Sequence, residues 1–255
     1  MNARPTAAVA AGLATFAILL GACTASGSDE DERSGTSSVS ARQDPGGSDV
    51  FETRPDGVRV LAPSPRSATV LLDPGRYAVH LSGSVLAESD IPEGWAVSYG
   101  RFFRPPIAAN TDGMMFVARA PEKATALPVH PCLAHTYARV GPTVRDLAEA
   151  LADQPFFEVA DPVPAPVGGV PALLVELTVP ADADMTRCDE GLAALYRGGP
   201  GADNVWSAFP SGGATRLWVL EVFGARYVIH AQWAKTRRDF ATLTRIVESI
   251  TFTRG

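Results

Sequence analysis

Basic charge is scarce in this sequence. Its 22 Lys and Arg face 28 Asp and Glu, for a net charge of −6. No broad positive field is available to hold nucleic acid. Lysine occurs only at Lys123 and Lys235, and there are only three cysteines and four histidines. No G-x-S-x-G elbow, P-loop, G-x-G-x-x-G or H-E-x-x-H run occurs, so the local signatures of a serine nucleophile, a phosphate cradle, a dinucleotide turn and a zinc peptidase are missing. Catalytic groups can still be assembled from distant residues, which keeps an enzyme as an alternative reading. No apolar run reaches the roughly twenty residues that a membrane-spanning helix requires.

What is present begins with an address. Residues 1–22 read as a signal peptide, with Arg4 and the amino terminus supplying a short positive start. Ala7 to Leu20 is apolar or small throughout, a stretch of about fourteen residues. Leu20-Gly21-Ala22-Cys23 then has the form of a bacterial lipobox. Small residues give a signal peptidase access to the backbone, and the Cys23 thiol is the atom that would form a thioether with diacylglycerol. The expectation is cleavage before Cys23 and acylation there, palmitate included, on the extracytoplasmic face of the cell membrane. Each buried methylene contributes about 0.8 kcal/mol, so two or more acyl chains hold a protein on a bilayer without a spanning helix.

Residues 23–49 then form a spacer. From Thr24 to Asp49 six acids stand against Arg33 and Arg42, among Ser, Gly and Thr with almost no large apolar side chain. Such a segment cannot repay its ordering entropy, so a disordered tether is expected. As a flexible coil of about 26 residues it would reach roughly 28 Å. From Val50 onward 22 acids meet 19 bases, so residues 50–255, expected to be one globular domain, are nearly neutral.

Within that domain the hydrophobic pattern shifts to period two, the mark of strands. Candidate strands are Val58–Leu61, Ala68–Leu72, Tyr77–Leu81, Met114–Ala118, Phe156–Val159 and Leu173–Val179. Pro142-Thr143 opens a helix, with Asp146 placed to complete a capping box. Val144, Leu147, Ala148 and Leu151 lie at the spacing of one buried stripe, and Pro155 ends it. Arg216–Val222 and Arg226–Trp233 read as a hairpin around Phe223-Gly224-Ala225. Ser211-Gly212-Gly213 reads as another hairpin turn. A closing helix is expected over Arg237–Ser249, with Thr236 as its cap, followed by a strand at Ile250–Thr253. Strands, a helix, an antiparallel meander, a helix and a last strand make an α+β fold, a mainly antiparallel sheet with packed helices.

With Cys23 assigned to lipid, Cys132 and Cys188 remain. An even pair in an exported domain favours a disulfide. The alternative is a metal site in which His130, Cys132, His135, Cys188 and Asp189 contribute ligands, but the paired spacing of such sites is absent. Asp182, Asp184, Asp189 and Glu190 lack the glycine and terminal glutamate of a calcium loop. His80 and His230 sit in strand patterns, where histidine is usually structural. Trp95, Trp206, Trp218 and Trp233 read as core aromatics rather than the lining of a cleft. No catalytic residue, metal ligand or cofactor is therefore assigned.

Pro92-Glu93-Gly94-Trp95, Cys132, Gly141-Pro142-Thr143 with Leu147, Gly168-Gly169, Val179-Pro180, Cys188, the Trp218–Ile229 hairpin and Ser249-Ile250-Thr251-Phe252 give residues 82–252 a further character. Over that span the chain resembles a family of exported actinobacterial proteins, often lipoproteins. Its second half also resembles the PsbP-like α/β/α sandwich. That resemblance implies a non-enzymatic binding or accessory module, and a tethered, disulfide-closed, motif-poor domain favours one of the cell envelope that engages an envelope protein or a small ligand. A hydrolase or metal-dependent enzyme, and a carrier of a lipid or other apolar molecule, are the alternatives. Residues before Ser82 lie outside the resemblance and are expected to add edge strands.

Overall fold

A computed structural model of the chain describes residues 51–62, 69–98, 102–105, 113–121, 125–133, 136–188, 191–198, 205–208, 211–233 and 240–255. All of them belong to the unit spanning Asp44–Gly255. The signal segment, Cys23 and the tether lie outside the described residues. So do Thr236, Arg237, Arg238, His135, Asp189 and Glu190.

In chain order the elements are β1 (Phe51–Thr53), β2 (Arg59–Leu61), β3 (Thr69–Leu71), β4 (Gly75–Ser82), β5 (Val85–Ile91), β6 (Ala96–Ser98), β7 (Phe102–Arg104), β8 (Gly113–Arg119), β9 (Ala126–Pro128) and β10 (Tyr137–Arg139). Helix α1 (Val144–Ala152) follows, then β11 (Glu158–Val159), β12 (Val163–Pro164), β13 (Ala172–Thr178), a 3-10 turn (Met185–Arg187), β14 (Ala193–Arg197), β15 (Val205–Ala208), β16 (Ala214–Val222) and β17 (Ala225–Trp233). Helix α2 (Phe240–Glu248) and β18 (Thr251–Arg254) close the chain.

The strands form three sheets. The largest has nine strands, in the order β11-β13-β16-β17-β8-β7-β6-β3, with β12 also on β13. A five-stranded sheet runs β1-β2-β4-β5-β18, and a four-stranded one runs β10-β9-β14-β15. Among the described residues every pairing is antiparallel except β2 with β4. The fold is α+β and mainly antiparallel, as the sequence suggests.

Helix α1 forms where its local chemistry dictates. The Thr143 side chain accepts from Asp146 N at 3.0 Å, and the Asp146 carboxylate accepts from Thr143 N at 2.8 Å. Both bonds satisfy donors that a helix start leaves open. Leu147, Ala148 and Leu151 are wholly buried against the central sheet. Arg226 reinforces the start of this helix from below. Its buried guanidinium donates to the carbonyls of Ala120 (3.1 Å), Gly141 (2.7 Å) and Thr143 (2.8 Å).

The two central strands differ from a half-buried pattern. Leu217 and Val219 of β16 and Val228 of β17 pack toward α1 and the four-stranded sheet. Trp218 and Leu220, with Tyr227, Ile229 and Trp233, pack toward α2 and the five-stranded sheet. Side chains alternate across a strand, so layers on both faces bury most positions of the two strands, with Glu221 exposed near the turn. Trp95, Trp218 and Trp233 are therefore core residues.

Two sequence expectations are adjusted, and the start of the closing helix lies outside the described residues. The described part of the closing helix is Phe240–Glu248. Of the Phe156–Val159 segment only Glu158–Val159 is strand, because Phe156 and Phe157 meet edge to face at 5.2 Å in the preceding turn. The Ser211–Gly213 turn joins β15 in one sheet to β16 in another, so it is not a hairpin. Residues before Ser82 do supply edges: β1 borders the five-stranded sheet and β3 the nine-stranded one.

Candidate functional site

Three segments meet beside α1. The first is the loop that leaves β9, where Leu133 N donates to His130 O at 2.9 Å and Val129 N to Thr136 O at 2.9 Å. Pro131 O accepts from Ala194 N at 2.8 Å, which holds this loop to β14. The second is the 3-10 turn, whose start is capped when Asp184 Oδ1 accepts from Thr186 N (3.1 Å) and Thr186 Oγ1 (2.5 Å). These bonds hold the Asp184 carboxyl below its ordinary range. The third is Pro155-Phe156, which follows the helix end.

A disulfide between Cys132 and Cys188 fastens the first segment to the second. With Phe156 and Pro155 they enclose a hollow of about 400 Å³, lined also by Val129, Leu133 and Pro131. Ligand pockets span roughly 300–1,000 Å³, so the volume suits a small group. Val129 is 46% and Leu133 48% exposed. Neither is core; their apolar surfaces open on water at the mouth of the hollow. His130, Asp184 and Arg187 supply its polar edge.

Of the residues singled out from sequence, the structure joins Cys132 with Cys188 and sets His130 beside them. Two of the ligands weighed for a metal are thereby spent on the disulfide. Among the described residues no group of three His, Cys, Asp or Glu is placed to hold a metal ion. Phe156, Leu133 and Arg187 were not singled out. They are distant in sequence, and only the disulfide hints that their segments converge.

His230 offers different chemistry. Its Nε2 lies 2.6 Å from the Tyr196 hydroxyl, and its ring stacks on Phe116 with centroids 4.2 Å apart. Burial pushes the imidazole down to about 3 and the Tyr196 hydroxyl well above 10. The pair is a neutral imidazole bonded to a protonated phenol, and both side chains are wholly buried. Among the described residues Tyr196 supplies a hydroxyl partner to the imidazole. A second hollow of about 240 Å³ is lined in part by the ion pair Arg216–Glu176 at 2.5 Å.

No family model matches the chain, and no curated protein matches it. Among solved structures it is similar to LpqN, involved in cell envelope biogenesis of Mycobacterium tuberculosis. That match has 12% identity, 73% of this chain and 91% of that one covered, and a TM-score of 0.29. It is also similar to cyanobacterial PsbP (CyanoP) from Synechocystis sp. PCC 6803, with 12% identity, 66% and 86% covered, and a TM-score of 0.30. Likenesses this slight fix neither activity nor ligand.

Proposed function

We propose that the protein is a lipid-anchored binding module on the extracytoplasmic face of the cell membrane, without catalytic activity of its own. The observation that carries this reading is the hollow of about 400 Å³ whose mouth keeps Val129 and Leu133 open to solvent. Exposed apolar walls cost free energy in water and recover it when an apolar group covers them. The occupant is a small apolar ligand or an apolar side chain of an envelope partner. The lipobox at Cys23 supports the anchor. The Cys132–Cys188 bond supports an oxidising compartment. A helix on each face of the central sheet supports the PsbP-like sandwich inferred from sequence.

A carrier needs a dry cavity between helix and sheet. Here Leu147, Leu151 and Leu217 fill that space under α1, while Leu243, Ile246 and Ile229 fill it under α2. The binding module is the better reading.

The test uses the purified full chain and an anilinonaphthalene sulfonate dye as apolar probe. Saturable fluorescence that Leu133→Asp weakens about tenfold supports the hollow as the site. Equal binding by both proteins rejects it. Mass spectrometry of the N-terminal peptide reads the anchor separately: an unmodified Cys23 removes it.

A further inference from the structure

A bulky aromatic occupies a turn position that normally goes to glycine or asparagine. In the β16–β17 hairpin Phe223 has φ +50° and Gly224 φ +78°, the pattern of a tight two-residue turn with both centres left-handed. An L side chain other than Asn or Asp is strained there. Core packing does not repay that strain, because Phe223 is 50% exposed. Its ring instead lies under the Arg254 guanidinium, 4.6 Å from the ring centroid. Among the described residues no carboxylate comes within salt-bridge distance of Arg254.

The end of the domain that carries this tip is also the end from which the chain arrives. Ser82, the last residue of β4, bonds through Oγ to the Tyr227 hydroxyl at 2.6 Å, which places the finish of β4 beside the tip. Gly255 N, just after Arg254, bonds Ser84 O in the turn after β4 at 2.7 Å. β2 runs parallel to β4, with Leu61 opposite Val79, and β1 runs antiparallel to β2, with Phe51 opposite Leu61. The chain therefore enters β1 travelling away from the tip end.

From these relationships we infer that the Phe223–Arg254 tip is the surface through which the anchored domain rests on the lipid bilayer. The inference builds on the lipid anchor proposed above. The Phe223 ring enters the acyl boundary and the Arg254 guanidinium meets lipid phosphate, the division of labour of aromatic and arginine side chains at a membrane interface. Exposed Arg119 and Glu221 near the tip oppose one another in charge, so the contact works through the phosphate that zwitterionic and anionic lipids share. A chain anchored at one end holds the tip at high local concentration, and a weak contact then suffices.

The lipidated full chain carrying Phe223→Trp is bound to phosphatidylethanolamine–phosphatidylglycerol vesicles whose acyl chains are brominated near the headgroup. The chain also carries Trp206→Phe, and Trp95, Trp218 and Trp233 are buried, so the added indole dominates exposure to quenchers. The expected result is co-sedimentation, with bromolipid quenching the new indole and acrylamide reaching it about tenfold less than in a non-lipid denatured control. Co-sedimentation with residue 223 open to acrylamide and untouched by bromolipid keeps the anchor and overturns the inference. A chain left in the supernatant removes the anchor and the inference together. Hydroxyl-radical labelling of the wild-type chain on vesicles repeats the test without a substitution. Protection of Phe223 relative to exposed Leu71 and Val163 supports the contact; equal labelling overturns it.

Discussion

The Tyr196 hydroxyl and His230 Nε2 lie 2.6 Å apart, and both side chains are shut away from solvent. Burial holds the native imidazole at about 3, whereas an unfolded histidine titrates near 6.5. The unfolded state therefore takes up a proton first as pH falls. The stabilisation is complete above pH 6.5 and is lost progressively between 6.5 and about 3, with a slope near 1.4 kcal/mol per pH unit. Urea unfolding at pH 7.5, 6.5, 5.5 and 4.5 should show this slope. His230→Leu should be less stable at pH 7.5, because the Tyr196 hydroxyl loses its partner, and nearly flat across the same range. An unchanged slope in that variant would mean another group carries it.

A second acid-sensitive contact acts at lower pH. Glu88 has a side chain only 7% exposed, so burial alone would raise its pKa. Donation from Arg54 (2.6 Å), Thr253 (3.0 Å) and Arg76 (3.3 Å) outweighs that burial and holds the carboxyl below its ordinary 4.5. Stability from this clamp is present above pH 4.5 and lost as pH falls through the lowered native value. Glu88→Gln should cost about 2 kcal/mol at neutral pH, the scale of a hydrogen bond to a charged group. It should also speed amide exchange in β18, which holds Thr253, and in β1, which ends one residue before Arg54. Exchange that stays at the wild-type rate in both strands would show that Glu88 does not hold them.

What was legible in the sequence was local. Thr143 and Asp146 stand three residues apart, so the capping box could be read directly, and the structure forms it. The β16–β17 hairpin is also near-neighbour chemistry, with its register running from Val222 opposite Ala225. Glu88 was not legible because its partners lie 34, 12 and 165 residues away. The same holds for Tyr196 and His230. Alternation in β17 does separate Val228, His230 and Gln232 from Tyr227 and Ile229, but it cannot tell that layers cover both faces. The hollow is assembled from segments near residues 130, 156 and 187. Of those, only the cysteine pair carried a signal of their convergence.

That pair joins positions 56 residues apart. Closing a loop of that length contributes about 4 kcal/mol in the chain-entropy account, and a domain of this size loses roughly 10 °C of Tm with it. Cys132→Ser with Cys188→Ser should show both effects by urea and thermal unfolding. The same double variant frees the Val129–Leu133 loop from the 3-10 turn, so dye binding in the hollow should weaken even where the protein remains folded. A variant that loses stability but binds dye as before would show that the loop is held by its bond to Ala194 alone.

Two adjacent glycines separate backbone freedom from space. Gly168 and Gly169 both have positive φ, +57° and +77°. A Cβ on Gly169 would meet nothing within 4 Å, so Gly169→Ala should cost only the left-handed penalty, about 1 kcal/mol. A Cβ on Gly168 would sit 2.2 Å from the carbonyl oxygen of Ile250, at the junction of α2 and β18. That oxygen belongs to the backbone and cannot swing aside as a side chain would. Gly168→Ala should therefore cost several kcal/mol, on the scale of about 3 or more, and should shift the amide resonances of Ile250 and Thr251. Equal urea midpoints for the two variants would show that the Val167–Val170 turn does not press on that junction.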